Sequence, residues 1–176
     1  IMIGETRDPE TAEISARAAI TGHLVFSTLH TNDAASSVTR LMDMGIPAYL
    51  AAASIAGIIS QRLMRKVCPY CQEEYEARPE EVKILYGRPA DPGEHVRLRR
   101  GKGCYLCNET GYKGRIAIHE ILSVDTEMKR MISEGRNEEE LKAYAVHRHG
   151  MTTLKEEAVK MVLAGITTLE EMERLI

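Results

Sequence analysis

The sequence predicts an α/β protein built from three consecutive parts, and three observations support this. Apolar runs alternate with helix-forming segments in the first third of the chain. Four cysteines form two C-x-x-C pairs near the middle, and the last third carries repeated helix start signals. We expect the three parts to cover residues 1–66, 67–122 and 123–176.

The first part has the order strand, helix, strand, helix. The apolar run of residues 1–3 predicts a buried strand, and Asp8 and Pro9 mark the start of a helix that ends near residue 21. Residues 23–30 predict a second buried strand, followed by a helix over residues 31–44. Short joins between such elements are typical of a parallel sheet with helices on its faces.

A long helix is predicted after Pro47, over residues 48–66. Leu50, Ile55, Ile59 and Leu63 recur at helical spacing and form an apolar stripe. The polar stretch that follows contains both cysteine pairs, and residues 114–122 predict one more strand. Four further helices are predicted, over residues 126–135, 138–149, 154–164 and from 169 onward, with N-caps at Asp125, Asn137, Thr153 and Thr168.

Composition excludes several functional classes. The chain has 23 Lys and Arg against 26 Asp and Glu, a net charge of -3, which favours neither nucleic acid nor an anionic membrane as partner. One Phe, seven Tyr and no Trp offer few platforms for stacking on single-stranded nucleic acid. No run is long and apolar enough to span a bilayer, and no secretory leader is visible. We expect a cytosolic protein that meets a membrane only through protein partners.

The cysteine spacing predicts a structural zinc site. Two residues between thiolates let one tight turn aim both sulfurs at a single cation, so Cys68 with Cys71 and Cys104 with Cys107 complete a tetrahedral set. Four thiolate ligands leave no open position for catalysis. Two alternatives stay open: CPYC is also a thiol–disulfide redox pattern, and the cysteines could be plain buried thiols.

Glu5, His30 and His23 are the candidate catalytic residues. Glu5 and His30 follow predicted strands, and ligands of open parallel sheets bind at the carboxyl ends of strands. A carboxylate there could orient a water toward phosphate or hold Mg²⁺ through water, and the two histidines could contact phosphate. The alternative is that Glu5 caps a turn and the histidines are hydrogen-bonded ends of a strand.

The chain resembles the ATPases of bacterial type II secretion and type IV pilus assembly. The likeness begins with IMIGETRDPETAEISARAAITGHLVFSTLHTN and continues, in order, through ISQRLMRKVCPYC, GCYLCNETGYKGRIAIHEIL and GMTTLKEEAVKMVLAGITTLEEM. It therefore spans almost the whole chain. The tetracysteine segment favours assembly or secretion motors, because pilus-retraction relatives lack it.

The resemblance implies specific roles and partners. Glu5 would be the catalytic glutamate of the Walker B motif, His23 and His30 the histidine box, and the four cysteines the zinc ligands. The fold would be the C-terminal part of a RecA-like ATPase domain, with a zinc module and a helical subdomain. The intact protein would be a homo-hexamer that uses ATP and Mg²⁺ at the cytoplasmic face of the inner membrane. It would act there through secretion or pilus platform proteins, without inserting into the membrane.

The sequence lacks several features of the family, including its aspartate box and the upstream domain that supplies arginines to the nucleotide. It contains no G-x-x-x-x-G-K-[ST] motif, the loop that binds phosphates. We therefore expect the chain to begin within the Walker B strand of a larger motor and to be inactive by itself. A zinc-ribbon interaction module without ATPase activity and a thiol–disulfide oxidoreductase are the alternative functions.

Overall fold

The computed structural model describes all 176 residues, which form two compact units. The first contains Ile1–Ser60 and Glu120–Thr152, and the second contains Gln61–His119 and Thr153–Ile176. In chain order the elements are α1 (Pro9–Ile20), α2 (Ala34–Asp43), α3 (Ala48–Ser54), β1 (Gly57–Val67), β2 (Gln72–Glu76), α4 (Pro79–Tyr86), β3 (Arg97–Gly101), a 3₁₀ turn (Tyr105–Cys107), β4 (Tyr112–Ser123), α5 (Thr126–Ser133), α6 (Glu138–His149), α7 (Leu154–Leu163) and α8 (Leu169–Leu175).

The first unit begins with two extended segments that run parallel to each other, joined by α1. Met2 and Phe26 form a parallel bridge, and the amides of Ile3 and Thr6 donate to the carbonyls of Phe26 and Thr28 at 2.8 and 2.9 Å. The parallel α/β arrangement is therefore present, although the paired stretch is short. The prediction that both segments are buried is wrong, because Met2 is 84% and Phe26 58% exposed and the rest of the chain does not cover them.

The core of the first unit lies among helices. Small residues such as Ala12 and Ala16 of α1 allow close approach, and larger apolar residues of α5 and α6 fill the remaining space. The buried set includes Ala12, Ala16, Ala34, Ala35, Val38, Leu50, Ala51, Leu122, Met128, Ile132, Leu141 and Ala145.

The long helix predicted after Pro47 is wrong. Helix α3 ends at Ser54, and β1 begins at Gly57. In β1 the residues at 57, 59, 61 and 63 are exposed while Ser60 and Met64 are buried, the period-2 alternation of a strand. Pairing of β1 with β4, together with two adjacent β-branched isoleucines, overrides the helical spacing of the apolar residues.

The second unit contains a pair of strands, connected through α4, that was not predicted from the sequence. Strands β2 and β3 are antiparallel, with Glu73 opposite Arg100 and Glu74 opposite Arg99. Both opposed pairs form salt bridges, at 2.9 Å. The core of this unit includes Met64, Val82, Leu85, Leu98, Ile118, Leu154, Ala158, Val162, Leu169 and Met172.

The predicted C-terminal helices are confirmed, including their start signals. Asp125, Asn137, Thr153 and Thr168 each accept a hydrogen bond from the backbone amide three residues later. Helices α5 and α6 belong to the first unit and α7 and α8 to the second. The three-part domain division stays a prediction. No helix of this chain is both long enough and apolar enough to cross a membrane.

Candidate functional site

Glu5 and His30 lie together where the two parallel segments end. Because the segments run in the same direction, their carboxyl ends meet at one edge. His30 Nε2 is 2.9 Å from Glu5 Oε1. The ends are held in register by two side-chain hydrogen bonds: Thr28 Oγ1 donates to the Gly4 carbonyl at 2.7 Å, and the hydroxyls of Thr6 and Ser27 are 2.7 Å apart.

Arg7 is the second partner of Glu5. Its Nη2 lies 2.5 Å from Glu5 Oε2, so each carboxylate oxygen has its own nitrogen partner. The pKa of Glu5 is lowered, and the hydrogen bond from Arg7 is the largest cause. Partial burial opposes the shift, while the charges of Arg7 and His30 reinforce it. The carboxylate is therefore ionised at neutral pH.

These residues line a cleft of about 350 Å³ that also contains Thr6, Leu29 and Arg40. Arg40 forms no salt bridge, whereas Arg7 is paired with Glu5. Arg40 could not be identified from the sequence, because a basic residue in the last turn of a helix is common for electrostatic reasons alone. Arg40 belongs to no recognised motif, and its place in the cleft depends on how α2 packs.

His23 is not brought to this cleft. His23 and His30 lie at opposite ends of the same segment, seven residues apart. In an extended chain this separation corresponds to about 23 Å. His23 Nδ1 lies 3.1 Å from Thr21 Oγ1 and 3.3 Å from the Ala18 carbonyl, at the C-terminal end of α1. Within this chain His23 therefore contacts a helix end, and only Glu5 and His30 of the three predicted residues meet.

The four cysteines form a compact cluster in the second unit. Their sulfurs all lie within 4.8 Å of one another. The Cys68–Cys104, Cys71–Cys107 and Cys104–Cys107 sulfur pairs are 4.0, 3.8 and 3.7 Å apart. A tetrahedron with zinc–sulfur bonds of 2.3 Å has edges of about 3.8 Å. The donor set and its spacing therefore fit a Zn²⁺ ion.

The backbone around the cluster is shaped by glycines and by amide–sulfur hydrogen bonds. A Cβ on Gly101 would lie 2.1 Å from the Gly111 carbonyl oxygen. The two backbone segments therefore approach each other at a distance that only glycine permits. The amides of Cys104 and Gly111 donate to Cys107 Sγ at 3.2 and 3.3 Å. Such donors are typical of sites that stabilise a thiolate.

The thiol pKa values respond to this environment in opposite directions. Burial opposes ionisation of Cys107, but hydrogen bonds from the Cys104 and Gly111 amides, together with those from the Cys104 and Cys71 thiols, outweigh it and lower the pKa to about 6. Burial raises the pKa of Cys71 to about 12, and the neighbouring thiols add to that effect. Four thiolates this close repel one another unless a cation compensates their charge.

Comparisons with known proteins agree with this architecture. The family model described as "Type II/IV secretion system protein" matches residues 1–174. The type IV pilus assembly ATPase PilB of Thermus thermophilus is 49% identical over 172 residues, which cover 98% of this chain and 19% of that protein. The type II secretion system ATPase E of Vibrio cholerae is 42% identical over 175 residues, which cover 99% of this chain and 34% of that protein.

Solved structures show the same fold. The pilus retraction motor PilT with bound ADP matches with a TM-score of 0.63 at 26% identity, over 100% of this chain and 39% of that one. The Yersinia pseudotuberculosis ATPase DotB matches with a TM-score of 0.61 at 22% identity, over 99% of this chain and 36% of that one. The second likeness concerns the fold alone.

The fold is thus the α/β fold of these ATPases. The chain belongs to the type II/IV secretion system protein family, as the sequence resemblance predicted. It spans about a fifth to a third of the length of the curated relatives named above.

Proposed function

We propose that this chain forms the later part of the ATP-hydrolysing domain of a secretion or pilus assembly motor. The observation that carries the proposal is the Glu5–His30 contact at the shared edge of two parallel segments, in a cleft with two arginines. A carboxylate beside cationic groups at this edge suits hydrolysis of a phosphoanhydride, in which a water must be oriented and negative charge stabilised.

Glu5 would orient the attacking water. As the water oxygen bonds to the γ-phosphorus, the bond to the β,γ-bridging oxygen breaks and ADP leaves with that oxygen. Glu5 accepts a proton from the water, and this proton passes to the released phosphate. Because Arg7 lowers the pKa of Glu5, the carboxylate is a weak base, and holding the water in place is its larger contribution.

His30 and the arginines would contact the phosphate side of the cleft. Arg40, which forms no salt bridge, is available for an anion, while Arg7 holds the Glu5 carboxylate. Mg²⁺ would neutralise phosphate charge, and Glu5 could hold it through water. The chain has no phosphate-binding loop motif, so its residues fit one side of a nucleotide site.

The test compares this chain with a version extended upstream to include such a loop. We expect this chain alone to neither bind ATP tightly nor hydrolyse it. In the extended version, Glu5→Gln should keep nucleotide affinity within about threefold and lower single-turnover hydrolysis by roughly 100-fold or more. His30→Ala should lower turnover less.

Glu13→Gln is the matched control, since Glu13 is a carboxylate of the same unit that also pairs with an arginine, Arg17, at 2.6 Å. Its turnover should stay within about twofold of the parent. If Glu5→Gln instead weakened binding and left the chemical step intact, Glu5 would be a structural cap and the proposal would be wrong.

The cysteine cluster would hold one structural Zn²⁺. The sulfur spacing supports this, and four thiolates leave the metal without an open position for chemistry. Protein purified under reducing conditions without chelator should contain one zinc per chain by metal analysis. A content clearly below one equivalent would contradict the assignment, and a Cys68–Cys71 disulfide that cycles with a thiol substrate would favour the oxidoreductase alternative.

The names of the relatives support a proposal about the process and the partners. Their names include both type IV pilus assembly and type II secretion, and we propose one of these two processes for the intact protein. It would assemble as a homo-hexamer at the cytoplasmic face of the inner membrane and act on platform proteins there. Sedimentation of the extended version with and without nucleotide tests the hexamer.

A further inference from the structure

Glu120 is a buried carboxylate in the first unit that the proposed chemistry does not use. It lies on β4 and is 0% exposed. Ala34 is the first residue of α2, and its amide donates a hydrogen bond to Glu120 Oε1 at 3.0 Å. Burying a charge is costly unless it is well partnered, and a helix N-terminus supplies both free amides and a favourable dipole.

The same helix end is held from a second direction by α6. Asp33, the N-cap of α2, accepts from the Ser36 amide at 2.9 Å through one oxygen and from Lys142 Nζ at 3.0 Å through the other. Burial opposes the charge of Lys142, but Asp33 and Glu120 outweigh it and raise the Lys142 pKa. Glu120, Asp33 and Lys142 therefore form one charged group around the start of α2.

The helix start that this group holds follows His30 closely in the chain. Residues 31–33 connect His30 to α2, and the Thr31 hydroxyl is 2.7 Å from that of Ser37, which is buried. His30 itself is exposed, with its side chain 87% accessible, so few contacts other than Glu5 fix it. The position of its backbone thus depends on how firmly the start of α2 is held.

We infer that Glu120 is a positioning residue, which keeps His30 against Glu5 by holding the N-terminus of α2. The inference rests on the proposed hydrolysis, and it adds a residue that lies 90 positions away from His30 and touches no substrate. A misplacement of about 1 Å at a reacting group can lower a rate 100-fold, so loss of this hold should appear in kcat.

The test uses the version extended upstream. Glu120→Ala should lower kcat about tenfold with the KM for ATP within about twofold, and Glu120→Gln, which keeps an oxygen acceptor for the Ala34 amide, should recover most of that loss. Glu171→Ala is the matched control, because Glu171 is also 0% exposed and accepts a backbone amide, that of Arg65 at 2.9 Å in the second unit. It should lower Tm but leave kcat per folded chain within about twofold.

A double-mutant cycle identifies the route of the effect. In a His30→Ala background, Glu120→Ala should lower kcat by less than twofold further, because the residue being positioned is gone. Independent, multiplicative effects of the two substitutions would overturn the inference, as would an equal loss of kcat in Glu171→Ala. If Glu120→Ala fails to fold, Lys142→Met replaces it, with an expected few-fold loss that His30→Ala likewise removes.

Hydrogen exchange in the chain itself separates this inference from the proposed function. Glu120→Ala should speed exchange of the amides at residues 31–34, whereas Glu171→Ala should not. If Glu5→Gln and His30→Ala leave turnover unchanged while this exchange result holds, the proposed function fails and the hold on α2 stands. If those variants are inactive but exchange and kcat do not respond to Glu120→Ala, the positioning role is wrong.

Discussion

Single residues show where sequence reasoning about the site succeeds and where it stops. The pairing of Glu5 with His30 could be predicted, because the order of elements brings the ends of parallel segments to one edge. The Arg7 contact and the place of Arg40 could not, since they depend on side-chain conformations and on the rotation of α2. The family motif groups His23 with His30, but the two histidines lie at opposite ends of one extended segment. His23 therefore contacts Thr21 and does not reach Glu5.

Asp125 provides a test of electrostatics at a single residue. Its pKa is lowered to about 2, first by the Met128 amide and then by His149, with a further contribution from Tyr144. A carboxyl whose pKa is lower in the folded than in the unfolded state stabilises the fold above its ordinary pKa of 3.8. That stability is lost as pH falls from about 4 to about 2.

Asp125→Asn should therefore lower Tm at pH 7 and lose most of that difference by pH 2. Asparagine is also a good N-cap, so the substitution removes the charge while keeping the helix start. Asp43→Asn, which removes an exposed charge that forms no salt bridge, is the control in the same thermal scans. A Tm difference for Asp125→Asn that stayed constant across this pH range would show that its charge does not contribute.

At the level of elements, capping signals predicted the four C-terminal helices well, whereas the spacing of apolar residues predicted β4 but mistook β1 for a helix. Helix starts follow from one capping side chain and its neighbours, so α5 to α8 were predicted with their N-caps. Strand β1 depends on pairing with β4, about 55 residues later, and its apolar residues happen to recur at helical spacing. Strands β2 and β3 are polar, and only their mutual register reveals that opposite charges face each other.

The turn that carries the second cysteine pair allows a matched test of backbone geometry. Gly111 and Gly114 both have positive φ, 76° and 81°. A Cβ on Gly111 would lie 2.7 Å from the Gly101 carbonyl oxygen, whereas one on Gly114 would meet nothing within 4 Å. Any side chain at either position costs about 1–2 kcal/mol for the left-handed conformation, and only Gly111 adds a collision with backbone.

Gly111→Ala should therefore weaken zinc retention under a chelator challenge by at least tenfold, while Gly114→Ala should lower stability without that loss. The reason is that the Gly111 amide and carbonyl contact Cys107 and Cys68, so displacing it moves both knuckles. Equal behaviour of the two variants in a zinc-release assay would mean that backbone strain alone, and not close approach, controls the site.

The whole molecule consists of two units whose parts are not consecutive in sequence. Each combines an early segment with a late one. The sequence does not display this division, because helix and strand patterns do not show which distant elements pack together. The cysteine cluster belongs to a unit that also contains α7 and α8, whose buried residues Leu154, Val162 and Leu169 share a core with Met64 and Ile118. The metal should therefore stabilise helices far from the cysteines in sequence.

Cys104→Ser tests this organisation through segment-resolved hydrogen exchange. Removing one thiolate opens the closed site, and the binding free energy of a structural metal is part of the folding free energy of its unit. We expect residues 61–119 to lose protection together with α7 and α8. The helices α5 and α6 should stay protected, although they are closer to the cysteines in sequence, because they belong to the first unit.

Lys113→Ala, an exposed change in the same region, is the control for nonspecific loss. Uniform loss of protection along the chain would show that the two units unfold as one. Loss confined to residues 67–122 would show that the cluster stabilises only its own loops.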